Sequence, residues 1–457
     1  MLTAEKERGN WGSKIGFIVA AAGSAIGLGN IWRFPYVAGE NGGAAFVFIY
    51  IIFVILIGLP VMISELSIGR HTQKNPVGAF GKIAPKSFWK IVGGLGVLTG
   101  IGILSFYGVI AGFTVGYFIK ILLGDLSHIT TGDQANEVFN QFTANPYLSI
   151  GLLFIFLFFT SAIVMGGVSA GIERWSKILM PVLFVLLIVL AVRSVTLNGA
   201  MKGLEFYLKP DLSKISIPML ARALGQALFS LSLGMGTIIT YGSYLSRREN
   251  LVTSAGAVVF FDTLIAILAG LVMFPALFAM GMDPAGGAGL VFVVLPSIFA
   301  KMPGGMFFGA GIFLLLSVAA LTSTISLLEV PVAYFVDERK WDRKKATLLM
   351  GISAFILGIP SAISLGAVKS FSVLPFLDFG FLDFMNALFG NYSLTIGSFL
   401  IAVFAGYKWG IKNVLNEIEQ DGVTFLYKNI WSFLIRYICP VAIVLILGYI
   451  IITRNYF

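Results

Sequence analysis

The chain has 457 residues, of which 58% are apolar and only 12% are charged, with 53 glycines and 41 phenylalanines. A soluble globular domain carries about 25% charged residues, so this composition excludes that class and indicates a polytopic membrane protein. The formal charge of +9 lies in short basic clusters between apolar runs, which argues against a nucleic-acid partner. The single cysteine, Cys439, excludes an intrachain disulfide, and the two histidines, His71 and His128, are far apart.

The apolar runs predict eleven helices, each able to cross a hydrocarbon core of about 30 Å, with the fifth as the shortest. In chain order, the predicted spans are Trp11–Tyr36, Gly43–Gly69, Ile91–Leu123, Tyr147–Met165, Ile178–Val192, Ile217–Leu245, Leu251–Gly281, Gly305–Phe335, Ala346–Leu365, Phe381–Tyr407 and Trp431–Ile452. The segment before Trp11 lacks the small-residue pattern of a cleavage site, so we expect the first span to be retained.

Basic residues predict the orientation, because connections rich in Lys and Arg stay in the cytoplasm. Alternate connections carry them: Arg70, Lys74, Lys82 and Lys86; Arg174 and Lys177; Arg247 and Arg248; Arg339–Lys345; Lys408 and Lys412. We therefore place these connections and the N-terminus in the cytoplasm. An odd number of spans then puts the C-terminus outside, and an undetected or re-entrant segment would reverse that end.

The first and sixth spans each contain a run that weakens a helix at mid-membrane. In the first, Gly27 and Gly29 precede Asn30 and Arg33, two polar side chains that are costly when they face lipid. In the sixth, glycines interrupt the run Phe229–Gly236. A glycine-rich packing face with an ordinary kink is the alternative at either place.

Each broken helix opens a series of five spans, which is typical of two repeats with opposite topology. We therefore predict an all-α polytopic membrane protein with a five-plus-five inverted-repeat transporter fold, broken helices 1 and 6, and one extra C-terminal helix. The predicted parts are a first repeat (1–194), an outer connection (195–216), an inverted second repeat (217–408), and a cytoplasmic connection with the eleventh helix (409–457). The outer segments 125–146, 198–216 and 283–303 cap a cavity or remain solvated loops.

A break in a membrane helix frees backbone carbonyls, which need partners because the hydrocarbon contains no water. A cation is one such partner, and the N–H groups of the following half-helix suit a carboxylate. The two breaks therefore predict a joint site for a zwitterion and Na⁺.

Four motifs carry a family resemblance: Gly23–Pro35, Glu65–Arg70, Gly225–Tyr244 and Ala319–Thr324. Through them the chain resembles the neurotransmitter:sodium symporter family, in its bacterial eleven-helix amino-acid-transporting branch, which includes a tyrosine transporter. The resemblance runs through nearly the whole chain in order. It implies sodium-coupled import of an amino acid by alternating access.

The resemblance also implies two Na⁺ sites. For the first site it implies the carbonyl of Ala25, the side chains of Asn30 and Ser230, Asp262 on the seventh span, and the carboxylate of the substrate. Many relatives have asparagine where this chain has Asp262, so we expect its carboxylate to replace chloride and we predict no chloride requirement. A protonated Asp262 that joins two helices by a hydrogen bond is the alternative.

For the second site the resemblance implies oxygens that join the first span to the eighth: Gly23, Ile26, Ala319, Thr322 and Ser323. Two further acids lie within spans. We expect Glu65 to accept hydrogen bonds from N–H groups freed near the break, and Glu329 to line the inner pathway.

The resemblance places the polar groups of the substrate against the backbone of the first and sixth spans, with Tyr107 bonding the carboxylate. The implied substrate residues are Ser24, Ala25, Ile26, Gly27, Gly29, Ile103, Tyr107, Phe229, Ser230, Ser232, Met235, Ser323 and Leu327. The side-chain pocket among them is apolar and Met235 is adaptable. We expect a hydrophobic or aromatic L-amino acid, with tyrosine as the first choice because Ser232 can meet a phenol.

Gates follow from the same resemblance. Outside, Arg33 is expected to pair with an acid on the tenth span, where the matching position reads Asn386 and Asp383 lies three residues earlier; both remain candidates. Inside, Arg8 and Asp337 resemble a cytoplasmic gate pair near Tyr244.

A membrane enzyme and a passive channel are the two alternative functions. A membrane enzyme would need a base beside Ser232 or Ser323, and neither histidine lies in a span. A passive channel is also lined by broken helices, and single-channel currents would distinguish it. The expected partners are a small amino acid and the lipid bilayer of a bacterial inner membrane, with the protein as a monomer or a loose dimer.

Overall fold

The computed structural model describes residues 9–126, 129, 132–282, 291–293, 295–296, 304–375 and 377–453. Within these residues, nine helices are long and apolar enough to cross a membrane, and the bent pair Lys14–Ala25 and Gly29–Glu40 adds a tenth span. Two shorter helices, Ile217–Ser230 and Thr237–Gly242, occupy the sixth predicted span. The predicted all-helical membrane architecture is confirmed.

The nine unbroken spans follow the predicted order, and most of their ends agree with the sequence to within a few residues. They are Ala44–Thr72, Lys90–Leu122, Pro146–Met165, Val168–Val195, Leu251–Ala279, Gly305–Arg339, Arg343–Ile363, Phe381–Ile418 and Lys428–Thr453.

The fifth span is longer than predicted, because it begins at Val168 rather than at Ile178. Charged residues at this end lower the local hydropathy and hide the helix from a search for apolar runs. Their charges are satisfied locally, since Glu173 pairs with Lys177 at 2.6 Å and accepts the N–H of Gly12. The tenth span likewise continues past Tyr407 to Ile418.

Two of the predicted outer connections contain helices. Gly132–Thr143 lies in the first, and Ala200–Leu208 lies in the second. The latter packs closely on the seventh span, where Tyr207 donates a hydrogen bond to the carbonyl of Ile267 at 3.1 Å. The third connection, 283–303, falls largely outside the described residues.

Burial separates central helices from peripheral ones. In the most apolar 18-residue stretch of each span, 72% of residues are buried in the third and eighth spans, against 28% in the fifth and 33% in the eleventh. The third and eighth spans share an extensive interface, and both reach the break in the first span, through Tyr107 and Ser323. Their central position allows residues of both to reach the site described next.

Candidate functional site

The break in the first span redirects two backbone N–H groups. In a continuous helix, the N–H of Gly27 would bond the carbonyl of Gly23. Instead, Gly27 N–H donates to Asn30 Oδ1 at 3.2 Å, and Leu28 N–H donates to the hydroxyl of Tyr107 at 2.8 Å. The two half-helices meet at 49°. The break therefore frees the carbonyl of Gly23 from its helical partner.

The break in the sixth span covers residues 231–236. Three of them have positive φ angles, namely Ser232 at 53°, Gly234 at 77° and Gly236 at 79°. Glycine adopts this left-handed region without a steric penalty, whereas Ser232 needs support. The hydroxyl of Ser232 donates to the carbonyl of Ser24 at 3.1 Å, which ties the two breaks together.

Glu65 of the second span stabilises the second break. Its carboxylate is fully buried and accepts the N–H of Gly234 at 2.8 Å. A Cβ atom at Gly234 would lie 2.2 Å from the carbonyl oxygen of Leu394, so glycine is needed there. Glu65 thus holds an N–H group freed by a break, which is the role expected of it.

A cavity lies between the two breaks, and eleven of the thirteen predicted substrate residues line it: Ser24, Ala25, Gly27, Gly29, Ile103, Tyr107, Phe229, Ser232, Met235, Ser323 and Leu327. The other two, Ile26 and Ser230, do not line it. The hydroxyl of Ser230 is instead directed at Asp262. The structure therefore brings together residues from the first, third, sixth and eighth spans.

One side of the cavity is polar and is built largely from backbone and hydroxyl groups. The carbonyl of Ser24 accepts hydrogen bonds from the hydroxyls of Ser232 and Ser323, at 3.1 and 3.2 Å. A Cβ atom at Gly27 would lie 2.3 Å from Ser323 Oγ and 2.6 Å from the hydroxyl of Tyr107. The apolar lining comprises Ile103, Phe229, Met235 and Leu327, and none of the described residues that line the cavity is charged.

The cavity is contracted, with a free volume of about 20 Å³, which is room for about one water molecule. A second cavity of about 440 Å³ lies next to it, and it is called the outer cavity because the orientation predicted from the basic residues places it outside. Gly29, Tyr107 and Phe229 line both cavities and therefore form the partition between them. A ligand as large as an amino acid can enter the smaller cavity only if the side chains of the partition, Tyr107 and Phe229, move.

Asp262 of the seventh span is the centre of a buried polar cluster. The hydroxyl of Ser230 donates to its carboxylate at 2.8 Å, and Asn30 Nδ2 donates to Oδ1 at 2.8 Å. Asp262 itself is fully buried. Three of the four residues predicted for the first sodium thus meet, while the fourth, Ala25, lines the adjacent substrate cavity.

Two further polar residues were not predicted from the sequence, one in this cluster and one at the break in the first span. The hydroxyl of Tyr50 donates to Asp262 Oδ2 at 3.1 Å, and Gln226 Nε2 donates to the carbonyl of Gly29 at 2.7 Å. Tyr50 stands in an apolar run without any motif, so no local signal distinguishes it. Gln226 lies inside the motif Gly225–Tyr244, and its polar side chain within a span was a usable signal.

Oxygens predicted for the second sodium gather where the first and eighth spans meet. Thr322 Oγ1 lies 2.9 Å from the carbonyl oxygen of Ala319 and 3.4 Å from that of Ile26. Gly23 packs against Thr322, since a Cβ atom on Gly23 would lie 3.4 Å from Thr322 Cβ. The fifth residue, Ser323, directs its hydroxyl to the substrate cavity instead.

Comparison with known proteins decides the family. The profile described as "Sodium:neurotransmitter symporter family" matches residues 8–145 and 135–456. The chain belongs to that family. Its members of known sequence include an uncharacterized sodium-dependent transporter of Bacillus subtilis, YhdH, which is 40% identical over 97% of this chain and 98% of the relative. An uncharacterized sodium-dependent transporter of Haemophilus influenzae is 38% identical over 98% of this chain and 99% of the relative.

A solved structure supports the same assignment. The crystal structure of MhsT in complex with L-phenylalanine matches with a TM-score of 0.88 and 45% identity, covering 96% of this chain and 99% of that chain. The predicted inverted-repeat transporter fold is therefore confirmed. The protein is a sodium-dependent transporter of the symporter family and not an enzyme, as the sequence predicted.

On the outer side of this symporter, Arg33 stacks on an aromatic ring. Its guanidinium carbon lies 4.5 Å from the centre of the Phe229 ring, and the side chain is buried. Asp383 and Asn386 line the same outer cavity. The two terminal nitrogens of the Arg33 guanidinium have no hydrogen-bond partner among the described residues, so both Asp383 and Asn386 stay candidates for the partner that closes the gate.

On the inner side, a buried carboxylate joins three elements. Glu329 of the eighth span accepts a hydrogen bond from Tyr244 at 2.6 Å. Arg343, at the start of the ninth span, donates to both oxygens of Glu329, at 2.5 and 3.1 Å. From the sequence, Arg343 is predicted only as part of the basic cytoplasmic connection Arg339–Lys345. The contact shows that it also neutralises Glu329.

The predicted inner gate pair is only half described. Arg8 lies outside the described residues. Asp337 accepts hydrogen bonds from the backbone N–H of Asn75 at 2.9 Å and from its side chain at 3.2 Å. Trp11 ties the start of the first span to the sixth span by donating to the carbonyl of Tyr241 at 3.0 Å.

Proposed function

We propose that this transporter is a sodium-coupled symporter that imports a hydrophobic or aromatic L-amino acid, with tyrosine as the first candidate. The observation that carries the proposal is the cavity between the two breaks. It offers backbone and hydroxyl groups to a zwitterion at one side and an apolar lining to a side chain at the other. The relative MhsT was crystallised with L-phenylalanine, which has the same character.

We infer that the carboxylate of Asp262 binds a sodium ion beside this cavity. A buried carboxylate is costly unless a cation or several donors compensate its charge. Its donors in the cluster, Asn30, Ser230 and Tyr50, are all neutral. The fixed charge of Asp262 therefore favours Na⁺ and leaves no need for chloride, so transport is chloride-independent.

Asn30 supplies a physical link between sodium and substrate. In this conformation its amide NH₂ group faces Asp262, while its oxygen accepts the N–H of Gly27. Sodium requires oxygen donors, so an ion at Asp262 requires the amide oxygen of Asn30 to turn towards it. That turn releases the N–H of Gly27 into the substrate cavity. Sodium binding therefore prepares a donor for the substrate carboxylate.

A second Na⁺ at Gly23, Ile26, Ala319 and Thr322 would hold the cytoplasmic half of the first span against the eighth. Its release allows that half, Lys14–Ala25, to swing and open the inner side. One charge that moves through 100 mV supplies about 2.3 kcal/mol to this cycle. We further infer a bacterial inner membrane as the location, with the N-terminus in the cytoplasm and the C-terminus outside.

Equilibrium binding tests the proposal. Purified transporter is incubated with radiolabelled L-tyrosine or L-phenylalanine in NaCl, sodium gluconate or choline chloride, with the twenty amino acids as competitors. We expect the labelled amino acid to bind in both sodium salts and not in choline chloride. We also expect the apolar and aromatic amino acids to compete for that binding. Equal binding in choline would exclude sodium coupling, and preferential competition by charged amino acids would exclude the proposed substrate class.

A further inference from the structure

Arg436 is a cation placed within an apolar span and exposed on its surface. It stands eight residues after the start of Lys428–Thr453, a rise of about 12 Å along the helix. Its exposed neighbours are apolar or aromatic, for example Phe433 and Val441. An arginine at this depth is costly unless it reaches a polar partner. Among the described residues, no carboxylate forms an ion pair with it.

Two tyrosines hold Arg436 in place. Its guanidinium carbon lies 5.3 Å from the ring centre of Tyr407 on the tenth span and 5.7 Å from that of Tyr437. Tyr407 also donates its hydroxyl proton to the carbonyl of Arg436 at 2.7 Å. Neither ring contact is a hydrogen bond, and the bond from Tyr407 uses the backbone carbonyl, so these contacts leave the guanidinium N–H groups available for an anion.

A cleft lies between the tenth and eleventh spans, beside Arg436. Each carries a π-helical segment here, Phe404–Gly410 and Leu434–Ile438, and such segments often mark functional sites. At Gly406 the spans approach closely, since a Cβ atom there would lie 3.4 Å from the Cα atom of Arg436. Beyond Gly406 they enclose a cleft of about 570 Å³.

The cleft is positively charged. Arg436 and Lys412 line it together with one acid, Glu419, which pairs with Lys428 at 3.3 Å. The described lining thus holds two cations and one acid, and Lys428, which is not part of the lining, neutralises that acid. Lys412 lies towards the end of the tenth span that holds the basic connections. The cations are therefore arranged from the span towards the membrane surface on that side.

We propose that this cleft binds the phosphate of an anionic phospholipid, with Arg436 and Lys412 as the phosphate ligands and the aromatic rings against the glycerol backbone. The planar guanidinium offers two parallel N–H donors to a phosphate. Basic pockets between membrane helices bind lipid headgroups in this way. With the orientation given under Proposed function, the lipid belongs to the cytoplasmic leaflet, but the site itself does not depend on that orientation or on the substrate.

Native mass spectrometry of the full chain tests the proposal. The protein is released from detergent with added phosphatidylglycerol or phosphatidylcholine, and retained lipids are counted. Arg436→Gln is compared with Arg193→Gln, which removes an equal charge at the end of the fifth span, where the guanidinium carbon lies 5.6 Å from the ring centre of Phe308. Lys412→Gln is a second variant at an exposed position, where loss of folding is not expected.

We expect the native chain to retain phosphatidylglycerol at least fivefold more than phosphatidylcholine. Arg436→Gln abolishes this preference, Lys412→Gln weakens it, and Arg193→Gln leaves it unchanged. Equal retention of both lipids, or an equal loss in the Arg193 variant, would overturn the proposal. Glycerol 3-phosphate is added in a third arm, and its retention in place of lipid would show that the cleft takes a soluble phosphate ester instead.

Discussion

At the scale of single residues, Asp262 has the largest physical consequence, because it places a fixed charge in the middle of the membrane protein. The cluster around it consists of neutral donors, so the site is short of one positive charge. Under the proposed function, a sodium ion supplies that charge and the carboxylate of Asp262 takes the place of a chloride ion.

Asp262→Asn tests this charge compensation because it keeps the shape and removes the charge. We expect sodium-driven uptake in chloride-free medium to fall at least about tenfold, a loss of ~1.4 kcal/mol, and either to recover with added chloride or to remain lost. Asp211→Asn is the matched control. It lies outside the spans, where hydrogen bonds from Ser213 hold the pKa of its carboxyl below the ordinary range, so it also removes a full charge. Unchanged chloride-free uptake in Asp262→Asn would refute the compensation.

Tyr50 gives a second test at this scale. Its hydroxyl orients the carboxylate of Asp262, and a hydrogen bond to a charged group is worth about 1.5–3 kcal/mol. We expect Tyr50→Phe to raise the sodium concentration for half-maximal uptake about tenfold or more, with uptake recovered at saturating sodium. Tyr117→Phe is the control, since its buried hydroxyl has no hydrogen-bond partner among the described residues. If both variants needed the same sodium concentration for half-maximal uptake, the proposed role of Tyr50 would be contradicted.

At the scale of helices, the two breaks explain how a polar site forms within an apolar bundle. Glycines at 27, 234 and 236 allow close approach or positive φ angles, and this part of the site was predictable because glycine and polar residues in a span are conspicuous. Tyr50 was not predictable, since its partner lies on another helix and 212 residues away. The start of the fifth span was missed because Glu173 and its basic neighbours resemble a loop.

Gly27→Ala tests the first break as an element. The added methyl group would collide with Ser323 Oγ and the hydroxyl of Tyr107, inside the substrate cavity. We expect substrate binding to weaken at least about tenfold, or ~1.4 kcal/mol, while the protein still folds and elutes as a single species. Gly256→Ala in the seventh span is the control, because no atom lies within 4 Å of its added Cβ. Native affinity in Gly27→Ala would argue that the cavity is not the substrate site.

At the scale of the whole molecule, the two sides of the membrane differ. Outside, a cavity of about 440 Å³ reaches the partition formed by Tyr107 and Phe229. Inside, Trp11 and the contact of Glu329 with Tyr244 and Arg343 close the path. Under the alternating-access cycle and the orientation given under Proposed function, this inner closure breaks in each cycle. The order of helices was predictable from hydropathy, but the closure was not, because Arg343 resembles any other basic loop residue.

Arg343→Gln tests the inner closure. In a Cys439→Ser background, Leu327→Cys places a thiol in the substrate cavity, and an impermeant reagent is applied from the cytoplasmic side. We expect labelling to accelerate several-fold, since Glu329 loses its cationic partner and the inner path opens more often. Arg339→Gln, in the last turn of the eighth span, is the control. The same labelling rate in both variants would show that Arg343 does not hold the inner side closed.

Uptake into proteoliposomes is the decisive test of sodium-coupled import. An inward sodium gradient is imposed, labelled L-tyrosine or L-phenylalanine is supplied, and choline or gluconate replaces sodium or chloride in parallel. We expect saturable accumulation above the external concentration with sodium, the same accumulation in gluconate, and no accumulation in choline. Flux that only equilibrates the amino acid, or that is equal with and without sodium, would contradict sodium-coupled import.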